Sequence, residues 1–241
     1  MPAPPARPAI PLPLIIVAGC IIAAIGFGTR GAFGLFTLPV TEDLGLSREQ
    51  WGMAMAVQNL VWGIAQPFAG GFADRYGSGR MLAFGGLVYA AGVLGMAFSP
   101  DTLTMTLTAG IVTGVGIAIA SFGVVMAAFG RVVPPERRSF VFGVATAASS
   151  AGQFIFAPVG QGFISAFGWQ MALVWIAMIL LLIVPLSAAL RGRAESVPGQ
   201  ADLPFMQALS RAWGYGSYRL LVVGFFVCGF HLAFINVHMP A

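Results

Sequence analysis

Apolar residues run in long blocks along most of the chain, and charged residues gather in the gaps between them. A helix needs ~20 mainly apolar residues to cross a ~30 Å hydrocarbon core. By that measure seven spanning segments are expected, at residues 13–40, 51–73, 81–98, 103–129, 140–167, 169–190 and 220–239. Inside them small residues recur at four-residue spacing, as at Gly110/Gly114 and Gly143/Ala147/Ala151, a pattern that lets helices approach closely in lipid. The expected fold class is all-α and polytopic: a six-helix transmembrane bundle followed by a seventh helix.

Four regions follow from the same pattern. Residues 1–12 form a proline-rich tail expected to be disordered, and 13–190 the six-helix bundle. Residues 191–219 are a polar linker, and 220–241 carry the seventh helix. Within the linker, Phe205, Met206, Leu209 and Trp213 have the spacing of a short amphipathic helix lying on the membrane surface, although an ordered non-helical linker fits equally well.

Composition strengthens the membrane reading. Of 241 residues 58% are hydrophobic and 8% charged, against ~25% charged in soluble domains. All 12 basic residues are arginines, and positive residues collect on the cytoplasmic side. With the N-terminus inside, Arg7, Arg75, Arg80, Arg131, Arg137, Arg138, Arg191, Arg193, Arg211 and Arg219 lie on that side and Arg48 alone lies outside. The expected topology is therefore multi-pass with a cytoplasmic N-terminus. Because the basic residues are spread between apolar blocks, nothing supports a nucleic-acid partner. No His/Cys/Asp/Glu cluster has metal-ligand spacing and no nucleotide loop is present, so neither an enzyme nor a cofactor or metal is expected. Cys20 and Cys228 sit in apolar segments, where cysteine behaves as a small hydrophobe.

One arginine breaks the pattern. Arg30 lies about 10 residues inside the end of the first segment, ~15 Å deep at ~1.5 Å of rise per residue. A guanidinium stays charged, and a charge near the bilayer centre costs from ~2.5 to more than 10 kcal/mol. No carboxylate lies within one helical turn of it. The position therefore points to a polar pathway or an anionic ligand, with a backbone carbonyl or buried polar group as the bland alternative.

Other polar residues sort the helices. Arg30, Gly34 and Thr37 share one face of the first segment by spacing, and Gln58, Trp62 and Gln66 one face of the second. The fourth segment adds Thr113 and Ser121, and the fifth Ser149, Ser150 and Gln153. Segments 3 and 6 hold little that is polar apart from Tyr89 and are expected to face lipid. The seventh segment carries His231, Asn236 and His238. Residues 28–39 align with 229–240 without a gap, matching Gly, Ala, Phe and Pro, and this sets Arg30 opposite His231. With the long linker between the two copies, the alignment suggests parallel repeats of six helices. A second half following Ala241 is then expected and required for activity.

The connection after the second segment reads Gly70-Gly71-Phe72-Ala73-Asp74-Arg75-Tyr76-Gly77-Ser78-Gly79-Arg80. It resembles the loop signature of the major facilitator superfamily: glycine, three residues, Asp-Arg, one residue, glycine, then basic residues. Ser78 and Gly79 intervene before Arg80, where the family usually places basic residues at once. The resemblance implies that Gly70, Asp74, Arg75, Gly77 and Arg80 form a conformational latch; by chemistry alone, Asp74 is a partner for a nearby arginine or a helix cap. The runs Arg30-x-x-Phe33-Gly34-Leu35-Phe36 and Gln58-Asn59-Leu60-x-Trp62-Gly63-x-x-Gln66-Pro67 are similar to bacterial members near the monocarboxylate and oxalate/formate branch. The resemblance implies a bacterial inner-membrane secondary transporter of small organic anions working by alternating access. Arg30, Gln58, Gln153, Thr37 and His231 are its candidate substrate-binding residues, and a small anionic molecule and the lipid bilayer its partners. Drug or metabolite efflux within the superfamily, and a non-transporting membrane module, are the alternatives.

Overall fold

The computed structural model describes residues 10–192 and 205–238, with the side chains of 205, 206, 208 and 232–238 excepted. The tail up to residue 9, residues 193–204 of the linker, and the side chains of Asn236 and His238 lie outside the described residues.

Every regular element among the described residues is helical. The first segment runs through α1 (Leu12–Ala32), a 3-10 turn at Phe33–Phe36 and α2 (Thr37–Leu44). The second is α3 (Arg48–Tyr76), started by a capping box in which Ser47 and Gln50 bond each other reciprocally. The third is α4 (Ser78–Ala97). The fourth joins α5 (Thr102–Met105), a π-helical stretch at Thr106–Val112, α6 (Thr113–Ile119) and α7 (Phe122–Val132).

The fifth and sixth segments are α8 (Pro135–Leu181) and α9 (Ile183–Ser187), broken at Gly168, whose φ of 78° is left-handed. The chain doubles back there, because the rings of Phe163 and Phe167 lie 6.4 and 6.3 Å from that of Trp175, whereas an unbroken helix would hold residues 163 and 175 ~18 Å apart. Only glycine takes that backbone angle at little cost. Within the linker lies α10 (Phe205–Trp213), which decides for the helix over the non-helical alternative, and α11 (Gly216–His238) follows.

Close packing rests on glycine. A Cβ on Gly152 would run into the Ala24 backbone, and one on Gly28 would meet the Phe156 ring at 2.5 Å, so α1 and α8 touch almost backbone to backbone. Gly92 lies against Thr113, Gly116 against Tyr89, and Gly114 against the Gln58 carbonyl. Gly143, Ala147 and Ala151 do the opposite of what their spacing led us to expect: all three are exposed, and α8 packs through the neighbouring row of Ala145, Ser149, Gly152, Phe156 and Gly160. Spacing alone does not say which stripe of a helix faces inward.

The third segment has two unlike faces. Only one of its faces, with Phe84, Leu87 and Leu94, is exposed. Its glycines let it sink against the fourth and sixth segments, and Tyr89 is fully buried.

The two ends of the bundle are tied by polar contacts. At one, Asp43 Oδ2 accepts from Trp169 Nε1 at 3.0 Å and Gln170 Nε2 at 2.9 Å, joining the first and sixth segments. Nearby, Asp101 caps α5 by accepting from the Thr104 amide at 2.8 Å and the Thr104 hydroxyl at 2.9 Å. At the other end, the Ser78 amide donates to the Gly192 carbonyl at 3.1 Å.

Gly152→Ala is expected to cost about 1–3 kcal/mol through overpacking, whereas Gly143→Ala, with open space around its Cβ, leaves the unfolding midpoint almost unmoved. Thermal unfolding of the purified protein in detergent separates the two. The hydrogen bonds from Thr104, the backbone one first, hold the Asp101 carboxyl below its ordinary value of 3.8. Because its folded pKa is depressed, the stability this cap contributes is present above the unfolded value and is lost as pH falls through the folded one. Thr104→Val should move the Asp101 titration, followed by NMR, back up towards the ordinary value.

Candidate functional site

Arg30 sits in the last turn of α1, and both of its protein partners come from α3. Its Nη2 donates to Asn59 Oδ1 at 2.8 Å, and its guanidinium carbon lies 4.5 Å from the centroid of the Trp62 ring. Asn59 and Trp62 are three residues apart and share a helix face. Each is held in turn: Asn59 Nδ2 donates to the Met55 carbonyl at 2.8 Å, and Trp62 Nε1 donates to Gln66 Oε1 at 2.7 Å. The other guanidinium N–H groups have no protein acceptor among the described residues.

These contacts do not offset the cost of the charge. A cation–π contact contributes ~0.5–2 kcal/mol, and a hydrogen bond between membrane helices averages ~0.6 and reaches ~1.7 kcal/mol. Against a cost of ~2.5 to more than 10 kcal/mol, a neutral amide and an indole leave the guanidinium short of compensation over most of that range.

The remaining space beside Arg30 is a cavity of about 160 Å³, lined by Trp62, Gln66, Tyr89, Ser121, Phe122 and Gly123 among others. Tyr89 is anchored through its hydroxyl, which donates to the Gly26 carbonyl at 3.3 Å. The last three residues belong to a break in the fourth segment. Helical geometry fails at Ala120 (ψ 31°), Ser121 is extended, and α7 starts anew with the Ser121 hydroxyl accepting from the Val124 amide at 3.3 Å. The first N–H groups of a helix lack intrahelical partners, and its N-terminus carries roughly half a positive charge. The cavity thus meets a guanidinium on one side and a helix N-terminus on another, the electrostatic arrangement of an anion site.

Other candidate residues are placed elsewhere. Gln58 is buried, and its Nε2 donates to the Ala109 carbonyl at 2.7 Å. Ala109 lies in the π-helical stretch, where altered register leaves carbonyls to be met from outside, and the Thr113 hydroxyl likewise bonds the Thr108 carbonyl at 2.8 Å. The polar row of the second segment is therefore Asn59, Trp62 and Gln66. Thr37 does not continue the Arg30 row either, because the 3-10 turn at Phe33–Phe36 changes the rotation per residue; Thr37 is buried and its Oγ1 has no hydrogen bond among the described residues. Gln153 packs opposite Gly31, where a Cβ would meet its Cγ at 3.2 Å, and does not line the cavity. His231 is exposed on α11, which approaches Phe33–Phe36 and α3.

The expected Gly70 to Arg80 loop is helical except at Gly77, since α3 runs to Tyr76 and α4 starts at Ser78; across it Asp74 Oδ1 pairs with Arg131 Nη1 at 3.7 Å, and Arg131 Nη2 also donates to the Ser78 hydroxyl. Gly77 takes a positive φ of 95°, and a Cβ there would meet the Gly192 carbonyl oxygen at 2.9 Å. The loop is thus clasped between the ends of the fourth and sixth segments. Arg75 lies over Tyr76, its carbon 5.6 Å from the ring centroid, and Arg80 is exposed.

Residues 18–241 match the family described as Major Facilitator Superfamily. The chain belongs to the major facilitator superfamily. Among similar proteins of this superfamily is the uncharacterized MFS-type transporter YcxA of Bacillus subtilis, 25% identical over 226 residues, which are 90% of this chain and 54% of that one. Monocarboxylate transporter 11 of Mus musculus is 26% identical over 221 residues, 88% of this chain and 48% of the other. Monocarboxylate transporter 7 of Homo sapiens is 24% identical over 180 residues, 73% and 34% of the two chains. The chain spans about half, or less, of the length of these relatives. Membership agrees with the bundle of apolar helices: this is a multi-pass membrane protein of a transporter family.

Sequence put Trp62 on the polar face of the second segment and Ser121 among the polar residues of the fourth, but gave Asn59 no contact of its own and did not foresee the break at Ala120–Ser121. Asn59 adjoins Gln58, and only a helix rotation fixed by packing chooses between them. The break shows in sequence solely as a serine placed to cap Val124. Gln58→Leu is expected to lower stability by about 0.5–2 kcal/mol through loss of one interhelical hydrogen bond while leaving anion affinity unchanged. Paired thermal melts and anion-binding titrations check it, and weakened binding would return Gln58 to the site.

Proposed function

We propose that this chain carries one half of a secondary transporter for small organic anions, in which Arg30 receives the carboxylate of a monocarboxylate-like substrate at mid-membrane. The observation that carries this reading is the shared cavity: an under-compensated guanidinium faces the N-terminus of α7 with no carboxylate among the lining residues. Asn59 and Trp62 hold the guanidinium in place, and Gln66 and Ser121 supply neutral hydrogen-bonding groups beside it. Two of the similar proteins named above are called monocarboxylate transporters, and this supports the same substrate class here.

Alternating access needs a second bundle to complete the pathway. The greater length of the relatives, the linker and the likeness of residues 229–240 to 28–39 support one. On this reading residues 13–190 are the first bundle, 191–219 the link, and the seventh helix opens the second bundle, bringing His231 towards the substrate. The arginine bias supports a cytoplasmic side for the N-terminus and the Gly70 to Arg80 connection, the relative from Bacillus subtilis suits a bacterial inner membrane, and the Asp74–Arg131 pair is the latch on this reading.

Arg30→Gln in the protein with both halves, reconstituted in proteoliposomes, is expected to weaken uptake of a labelled monocarboxylate about 10- to 100-fold, the worth of a charge-assisted hydrogen bond. Arg30→Lys should restore part of it. Undiminished uptake by Arg30→Gln would overturn the anchor.

A further inference from the structure

A second cavity lies at the arginine-bearing end of the bundle, apart from the one beside Arg30. It measures about 380 Å³ and is bounded by the start of α1, the end of α7, the first turns of α8 and the residues after α9. Arg131, Arg138 and Arg191 supply its polar wall; Ile15, Val132 and Leu190 supply much of the apolar one. No carboxylate lines it among the described residues.

The three guanidinium groups are unequally occupied. Arg131 is shared between Asp74 and the Ser78 hydroxyl, and the Asp74 side chain is itself 61% exposed. Arg138 uses its Nε to donate to the Val133 carbonyl at 3.0 Å, which leaves both terminal nitrogens without a protein acceptor among the described residues. Arg191 is exposed, with no hydrogen bond or ion pair recorded among those residues. Three positive charges thus line one cavity, and among the described residues a single, mostly exposed carboxylate pairs with one of them.

We propose that this cavity binds the phosphate of an anionic phospholipid. Guanidinium forks match phosphate oxygens in planar, two-pronged geometry, and basic pockets between membrane helices are where anionic head groups lodge. Depth agrees, since Ile15 lies within the first turn of α1 and Leu190 closes the sixth segment, so the cavity is at the ends of the spanning helices, level with head groups. The mixed lining selects the class of ligand. Guanidinium groups take the phosphate, while Ile15, Val132 and Leu190 meet the glycerol and the first methylenes of the chains. A free inorganic anion would leave that apolar wall unused. The head-group charge follows from the lining as well, because among the described residues no carboxylate lines the cavity to receive the ammonium of a zwitterionic lipid.

The test is a native mass spectrometry titration of the purified chain in detergent, with phosphatidylglycerol and with phosphatidylcholine of the same acyl chains. The unaltered chain is expected to hold phosphatidylglycerol more tightly. At about fivefold per arginine, the Arg138→Gln/Arg191→Gln double variant should lose roughly 25-fold of that affinity, with phosphatidylcholine binding unmoved. Arg48→Gln, at the far end of the bundle, should change nothing, and Arg191→Gln alone, at an exposed position, gives a fivefold readout that does not depend on the double variant's folding. Equal affinity for the two lipids, or undiminished phosphatidylglycerol binding by Arg191→Gln and the double variant, overturns the site. Full displacement of the lipid by millimolar inorganic phosphate overturns the lipid as its source.

Discussion

A guanidinium cannot lose its charge and cannot be left alone in hydrocarbon, and the region around Arg30 is arranged by that constraint. Among the described residues it is met with neutral groups only. Asn59 offers one carbonyl oxygen, Trp62 offers the negative face of a ring, and each of these is steered by a further hydrogen bond along α3. Neutral partners hold the side chain in position without cancelling its charge. A carboxylate in the same place would have made a closed ion pair and removed any demand for a ligand. The break in the fourth segment adds to the unbalanced potential by turning a helix start towards the same cavity.

Glycine allows so polar an arrangement to coexist with a tightly packed bundle. Where Gly28 and Gly152 let α1 and α8 meet at the backbone, and Gly92 and Gly116 do the same for the third and fourth segments, dispersion contacts and close approach provide cohesion that the hydrophobic effect does not supply in lipid. Irregular backbone is tolerated inside the membrane only where it is buried in protein or lines a cavity. The π-helical stretch satisfies the first condition through Gln58 and Thr113, and the break at Ala120–Ser121 satisfies the second. The fourth segment therefore carries two irregularities, one serving packing and one serving the cavity.

The bundle ends are held differently. Asp43 joins the first and sixth segments with two hydrogen bonds from neutral donors, whereas the opposite end is dominated by arginines and held by one mostly exposed carboxylate and by backbone contacts at Gly192. Exposed ion pairs are weak, ~0–1 kcal/mol, so at the basic end the Ser78 contacts with Arg131 and Gly192 hold the chain more than the Asp74 pair does. This is also the end at which an excess of positive charge faces the head-group region.

Sequence by itself indicated the all-helical class, the approximate limits of seven apolar segments with a division between residues 167 and 169, and the one charge that has to be explained. Each of these follows from hydropathy, helix length and the backbone demands of single residues, which are local. Tertiary structure decided which neighbour of a polar pair faces inward, so that Asn59 meets Arg30 while Gln58 goes to Ala109. It also moved Thr37 off the Arg30 row through a single 3-10 turn, drew Tyr89 into the interior and turned the Gly143/Ala147/Ala151 stripe outward. A helix rotates by about 100° per residue, so a shift of one residue or one altered turn redirects every side chain beyond it. That rotation is set by how glycines on neighbouring helices interlock, and no stretch of one helix encodes it alone.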